Sequence, residues 1–512
     1  MNEARNKGLI AAAVMSGLLL GCGTREVPAP PAPQAQLVTP ALGVEPRPAR
    51  MQPPAKMKER YSAPGLNPVR STREAPVSTF GVDVDTGAYA HVRRLLNQGM
   101  TPPADAVRVE EMINYFRYDL PAPTDRAQPF SITTDLATTP WSRRTHLLRI
   151  GLRGYDVARA ERPAANIVFV VDVSGSMEAD NKLPLVKATL AMFADQLRPD
   201  DRVSLVTYGD IARLALGPGN DREALLAAIE PLKAFGFTAG GEALAIAYGV
   251  AQSAFIQGGI NRIILATDGD FNLGLSDPEQ LKAYVERARA DGVTLTTLGF
   301  GDGPYSDAMM ETLADAGNGA YAYVDGLSEA RKVVVDELSS TLFTIAQDVK
   351  VQVAFNPDQV STYRLIGYEN RQLPQDGFAH DSVDAGDISA GHQVTALYEI
   401  ELASAKQVPH GQQAGGTHEL ATLDLRYKLP GETVSKIIRK QITVPRETPI
   451  GPPQRDFAFA AAVAAFGQSL RGGKDLGDFD RDDIVRLAGP QSDLRRQEFL
   501  RLVALPAAAS RR

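Results

Sequence analysis

Five oxygen-bearing side chains in the middle of this 512-residue chain have the types and placing needed to hold a hard cation. Asp172-Val173-Ser174-Gly175-Ser176 follows an apolar run and forms a D-x-S-x-S pattern. So short a pattern also suits serines that merely cap the next helix. Thr238 stands in a Gly-rich loop, "GFTAGGEAL", that opens a helical stretch, and Asp268 stands in "ATDGD" after a second apolar run. Hydroxyl and carboxylate oxygens without sulfur or imidazole suit magnesium or manganese, which prefer octahedral oxygen shells and retain several waters. Asp270 reads as a solvated loop carboxylate, and Asp83 and Asp85 in "VDVDTGAY" read as a strand end and a helix cap. The sequence contains no G-x-S-x-G, S-x-x-K, Walker A or H-E-x-x-H signature.

The elements around these residues follow from periodicity. From residue 166 to about 345, short apolar strands alternate with amphipathic helices, the pattern of a mostly parallel, doubly wound α/β sheet covered on both faces. The strands are "IVFVVDVS", "RVSLVTYG", "ARLALG", "RIILATDG", "VTLTTLGFG" and "AYAYVD". The helices are "PLVKATLAMFADQL", "DREALLAAIEPL", "GEALAIAYGVAQSAF" and "DPEQLKAYVERARADG", with "LSEARKVVVDELSSTLFTIA" leading out. Ligands of such sheets collect at the carboxyl ends of the strands, where Asp172 and Asp268 fall. Before this region, residues 77–160 give an N-terminal α+β stretch, in which Tyr89, Val92, Leu95 and Leu96 share one helix face and Val109, Met112, Ile113 and Phe116 a second. After it, residues 347–505 read as a β module followed by a helical cap around "FAFAAAVAAFGQSL" and "LRRQEFLRLVAL".

With these segments in place, residues 77 to 500 resemble a von Willebrand factor type A (VWA) domain with its bacterial flanks, including the block "STFGVDVDTGAYAHVRRLLNQG…VRVEEMINYF". The resemblance implies a metal-ion-dependent adhesion site. In it Ser174, Ser176 and Thr238 bind the metal through hydroxyls, while Asp172 and Asp268 act mainly through waters. It further implies that an Asp or Glu carboxylate from a protein partner completes the shell.

The amino terminus points to the cell envelope. Arg5 and Lys7 precede an apolar stretch from Leu9 to Leu20, and Leu19-Leu20-Gly21-Cys22 resembles a bacterial lipobox. Residues 1–22 therefore read as a lipoprotein signal peptide, with Cys22, the only cysteine, as the lipidated residue. Gly23 in place of Asp favours the outer membrane of a Gram-negative cell by the same resemblance. Residues 23–76 are rich in Pro and Ala and read as an extended tether. A net charge of -7, from 54 Lys and Arg against 61 Asp and Glu, gives no basic face for nucleic acid. The expectation is a lipid-anchored binding protein rather than an enzyme. The alternatives are a structural or assembly lipoprotein with a stabilising metal and a metal-assisted hydrolase, the latter short of a general base.

Overall fold

The computed structural model describes residues 65–82, 85–158, 160–237, 240–269, 278–302, 307–337, 343–381, 383, 385–403, 417–445 and 449–505. Cys22, the signal peptide and residues 23–64 of the expected tether lie outside the described residues, as do Asp83, Thr238 and Asp270, whereas the end of that stretch is structured, Arg70–Ser71 pairing with Thr362 and Tyr363.

The chain begins with strands β1 (Arg70–Ser71) and β2 (Val77–Gly81), helices α1 (Gly87–Asn97) and α2 (Val109–Asn114), and the hairpin β3 (Phe130–Thr138) and β4 (His146–Gly154). Then comes the doubly wound region. Its strands are β5 (Ala165–Asp172), β6 (Arg202–Tyr208), β7 (Arg213–Gly219), β8 (Ile260–Thr267), β9 (Thr294–Phe300) and β10 (Tyr321–Val324). Its helices are α3 (Leu183–Ala194), α4 (Arg222–Ile229), α5 (Gly240–Ser253), α6 (Pro278–Ala290), α7 (Asp307–Ala316) and α8 (Leu327–Arg331). The strand order is β10-β9-β8-β5-β6-β7, parallel except for β7, which runs antiparallel at the edge. Every residue of β5 is buried, as a strand sandwiched between two helical layers requires. One layer packs Leu190 and Phe193 of α3, Leu225 of α4 and Ala330 of α8 against Phe169 and Val171. The other packs Leu244 and Ala247 of α5, Val285 of α6 and Leu313 of α7 against Val168 and Val170.

The helix expected over residues 327–346 is shorter than its sequence suggests. α8 runs into a single π turn at Lys332–Glu337, and Thr344 already belongs to strand β11 (Thr344–Phe355), paired with Ser389. The β-branched Thr344 and Ile345 gain more from a ladder and a buried face than from helical propensity. α7, which the sequence reading passed over, buries Met310, Leu313 and Ala314.

The remaining strands are β12 (Val360–Ile366), β13 (Ile388–Ser389), β14 (Gln393–Leu402), β15 (Thr417–Lys428) and β16 (Lys436–Pro445), and helices α9 (Arg455–Leu470), α10 (Arg481–Ala488) and α11 (Leu494–Ala504) close the chain. The two flanks share one β-sandwich. One sheet has the order β1-β12-β14-β4-β3, and in the other β11 pairs with β2, β13 and β15, and β15 with β16. Residues from both flanks, such as Phe80, Leu148, Val351, Tyr363 and Leu423, meet in a single core. A second core joins α1 and α2 to the apolar face of α9 and to Phe499 of α11.

Candidate metal centre

β5 and β8 are neighbours whose onward connections run to opposite sides of the sheet, since β6 lies beyond β5 and β9 beyond β8. Crevices at the carboxyl ends of strands form at such reversals. Asp172 ends β5 and Asp268 follows β8, so both carboxylates border this crevice.

Asp172 has no solvent exposure, and both of its oxygens are occupied. Oδ1 accepts the Ser174 N–H at 2.9 Å, and Oδ2 accepts the hydroxyls of Thr267 at 2.9 Å and Tyr208 at 3.1 Å. Burial pushes its pKa up to about 6, with the charge of Asp268 adding to the rise and the bonds from Ser174 and Thr267 opposing it. Ser174 is buried and Ser176 exposed, and their hydroxyl oxygens lie 3.1 Å apart. That separation is close to the ~3 Å edge of an octahedron with metal–oxygen bonds of about 2.1 Å. Asp268 is 6% exposed and accepts from the ammonium of Lys182 at 2.8 Å, while the same ammonium donates to the Ser176 carbonyl at 2.9 Å.

Glycines make room for this arrangement at two points. Gly301, at φ +78°, follows β9, and a Cβ there would overlap the aliphatic stem of Lys182. Gly236, at φ +81°, carries the loop that bears Thr238, and a Cβ there would strike the Asp210 carboxylate. Two backbone bonds tie this loop to the serine turn: Phe235 N–H to the Val173 carbonyl at 2.8 Å and Gly175 N–H to the Gly236 carbonyl at 3.0 Å. Phe235 and Phe237 stand beside it, 76% and 85% exposed, with Ile211 nearby in sequence to Asp210 and 73% exposed.

Four of the five sequence-derived ligands, Asp172, Ser174, Ser176 and Asp268, thus sit on adjoining segments at one edge of the sheet, and Thr238 lies just beyond the last described residue of its loop. The donor set fits a magnesium- or manganese-sized ion: neutral hydroxyls and carboxylates, all oxygen. Lys182, Tyr208 and Thr267 were not found from the sequence. Thr267 adjoins Asp268 and Tyr208 ends the next strand, but Lys182 belongs to no motif. Asp85 does not cap α1. It accepts the Tyr321 N–H at 2.7 Å and the guanidinium of Arg371 at 3.2 Å, and the Glu111 carboxylate takes the helix-start N–H of Ala88 at 2.8 Å. Asp85, Glu111 and Glu311 form a buried carboxylate group whose positive partners include Arg108 and Arg371.

Comparison with known proteins agrees with this architecture. A family described as "von Willebrand factor type A domain" matches residues 166–336, one described as "von Willebrand factor" matches 55–149, and "Uncharacterized protein YfbK, C-terminal" matches 340–508. The protein named "Uncharacterized protein YfbK" of Escherichia coli strain K12 is 43% identical over 471 residues, spanning 87% of this chain and 80% of its own length. A "UPF0353 protein" of Mycolicibacterium vanbaalenii is 30% identical over 221 residues, 36% of this chain and 66% of its own. The solved structure "von Willebrand factor type A from Catenulispora acidiphila" has a TM-score of 0.43 at 16% identity, covering 73% of this chain and 89% of that one. On the identity and coverage of the Escherichia coli relative, and with a VWA domain between its flanking regions, the chain belongs to the YfbK family.

Proposed function

We propose that this chain is a lipid-anchored envelope protein, of the outer membrane, that captures a protein partner through a divalent cation held by Asp172, Ser174, Ser176, Thr238 and Asp268. The cation is magnesium or manganese. The observation that carries the reading is the meeting of the Ser174 and Ser176 hydroxyls, 3.1 Å apart, on the turn that Asp172 holds, with Asp268 joined to it through Lys182. Neutral hydroxyls next to a cation leave it electrophilic, so a partner's Asp or Glu carboxylate gains a charge-assisted bond by joining its shell. Binding rather than catalysis is the better use of such a site, because both oxygens of Asp172 are already committed to holding the serine turn, Tyr208 and Thr267. The exposed Phe235, Phe237 and Ile211 offer apolar surface of the kind that anchors an interface core. The anchor rests on the lipobox at Cys22.

Calorimetric titration with magnesium and manganese, run on the wild type and on Asp172→Ala and Ser174→Ala, tests the site. Capture of partners from envelope extract with and without chelator tests its use. Metal binding lost in both variants, with capture lost in chelator, is the expected result. A partner retained equally in chelator and by the Ser174→Ala protein sinks the metal-bridged reading.

A further inference from the structure

At the opposite end of β8 from Asp268, six residues and about 20 Å along the strand, lies a cleft unrelated to the metal centre. It runs between the VWA sheet and the β-sandwich. Its more polar part, about 260 Å³, is lined by Arg262, Lys282 and the carboxylates Glu286 and Asp315 on the VWA side and by Asp387 and His392 among others on the sandwich side. A contiguous part of about 120 Å³ shares Arg262, Ala320 and His392, and its walls include Ile264, Leu298, Val333 and Val334.

Arg262 is the unusual residue. It is 5% exposed, yet the partners of its guanidinium are the neutral hydroxyls of Thr294 at 3.0 Å and Thr296 at 3.3 Å. Among the described residues no carboxylate comes within ion-pair distance of it, whereas the buried Arg93 and Arg108 and the half-buried Arg371 each hold two or more. Burying a guanidinium without a counter-charge is costly. Burial lowers its pKa to about 10 against the opposing pull of the Asp387 charge, which leaves it charged at neutral pH. Lys282, half-buried on α6, adds a second positive group at the rim, and burial holds His392 neutral, its pKa pushed down to about 4. The cleft therefore offers a buried cation that no carboxylate pairs directly, Asp387 acting on it only from beyond ion-pair distance, where the two chambers meet.

We propose that this cleft binds a small amphiphilic monocarboxylate, its carboxylate on Arg262 and its hydrocarbon part against Ile264, Leu298, Val333 and Val334. The chamber's cations, Arg262, Lys282, Arg289 and Arg371, exceed its carboxylates, Glu286, Asp315 and Asp387, by one, which calls for a monoanion, since a dianion would carry a second buried charge unmatched. A planar carboxylate also suits the forked guanidinium. The apolar walls select a ligand with a short chain or ring over a bare inorganic anion.

Hexanoate is the probe, with hexanol and inorganic phosphate as controls, and calorimetry on the folded protein with magnesium present gives the affinity. Hexanoate should bind the wild type more tightly than either control. Arg262→Gln should weaken it about tenfold or more, the loss expected for one charge-assisted hydrogen bond. Should Arg262→Gln fail to fold, Ala320→Leu serves instead. Ala320 is exposed within the cleft, so the larger side chain obstructs both chambers at little cost to the core, and hexanoate binding should fall. No hexanoate binding by the wild type overturns the proposal. So does phosphate binding in its place, or hexanoate affinity unchanged in Arg262→Gln or, where that variant does not fold, in Ala320→Leu.

Discussion

The ammonium of Lys182 lies 2.8 Å from Asp268, so a fixed positive charge sits on one of the carboxylates proposed as metal ligands. Lys182 is 7% exposed, reaches Asp268 along the space left by Gly301, and also holds the Ser176 carbonyl. Positive charge there opposes an incoming cation and, without one, offsets the repulsion between Asp172 and Asp268.

Lys182→Met should therefore tighten magnesium binding, by about tenfold for a partly buried pair, and should lower the stability of the metal-free protein. Calorimetry and thermal melting in chelator read the two effects. Weaker magnesium binding in Lys182→Met would show that the lysine's main part is to orient Asp268.

Glu110 in α2 has a pH-dependent cost. Its side chain is buried beside Glu369 and Glu111, and its Oε2 has no hydrogen-bond partner. Burial, followed by the charges of Glu369 and Glu111, pushes its pKa from 4.5 up to about 7. The folded state then binds a proton more tightly than the unfolded state, so stability is highest below about pH 4.5 and falls as pH rises to 7. Glu110→Gln should stabilise the protein at pH 8, on the order of 3 kcal/mol, and make little difference at pH 4.5. Urea unfolding at the two pH values measures it, and an equal effect at both refutes the assignment.

Arg93 of α1 joins three parts of the chain. It donates to Asp325 and Glu329 in the VWA domain, to Glu498 of α11 and to the hydroxyl of Tyr115. Removing it leaves Glu329, 2% exposed, short of one of its cationic partners. Arg93→Ala should cost about 3–5 kcal/mol, the usual result of breaking a buried ionic group from one side. Arg93→Lys should recover part of the loss, since it restores charge without the fork. The urea midpoints of the two variants rank the effects.

Cys22→Ala should abolish acyl labelling and release the protein from the membrane fraction. Metabolic labelling with a fatty-acid analogue gives the readout, and equal incorporation into wild type and variant would remove the lipoprotein assignment.

The crevice was legible because its signals are local. An apolar run ending in Asp172-Val173-Ser174-Gly175-Ser176 carries both the strand and the residues at its end within a dozen positions. Lys182 was invisible, since its meaning depends on Asp268, 86 residues away. Asp85 was misread for the same reason: its partners Tyr321 and Arg371 lie 236 and 286 residues on. The longer strands of both flanks were recognised, but the two-residue β1, inside the stretch read as tether, and β13 were not, and periodicity says nothing of pairing, so β2 lying against β11 and β4 against β14 could not be anticipated. At Thr344, helical spacing in the preceding residues outweighed the β-branched pair that the ladder claims.

The shared sandwich makes the VWA domain an insertion whose two ends emerge side by side. β4 ends at Gly154, where an added Cβ would touch Ile345 and Ser389, and Phe343 bonds to Ala390 as the chain returns. The candidate site at the ends of β5 and β8 lies at the far edge of the sheet. A load applied there would reach both connections together, and neither strand at the crossing could peel away alone, because each is stitched laterally into the sandwich. Under tension the junction would have to shear rather than unzip strand by strand.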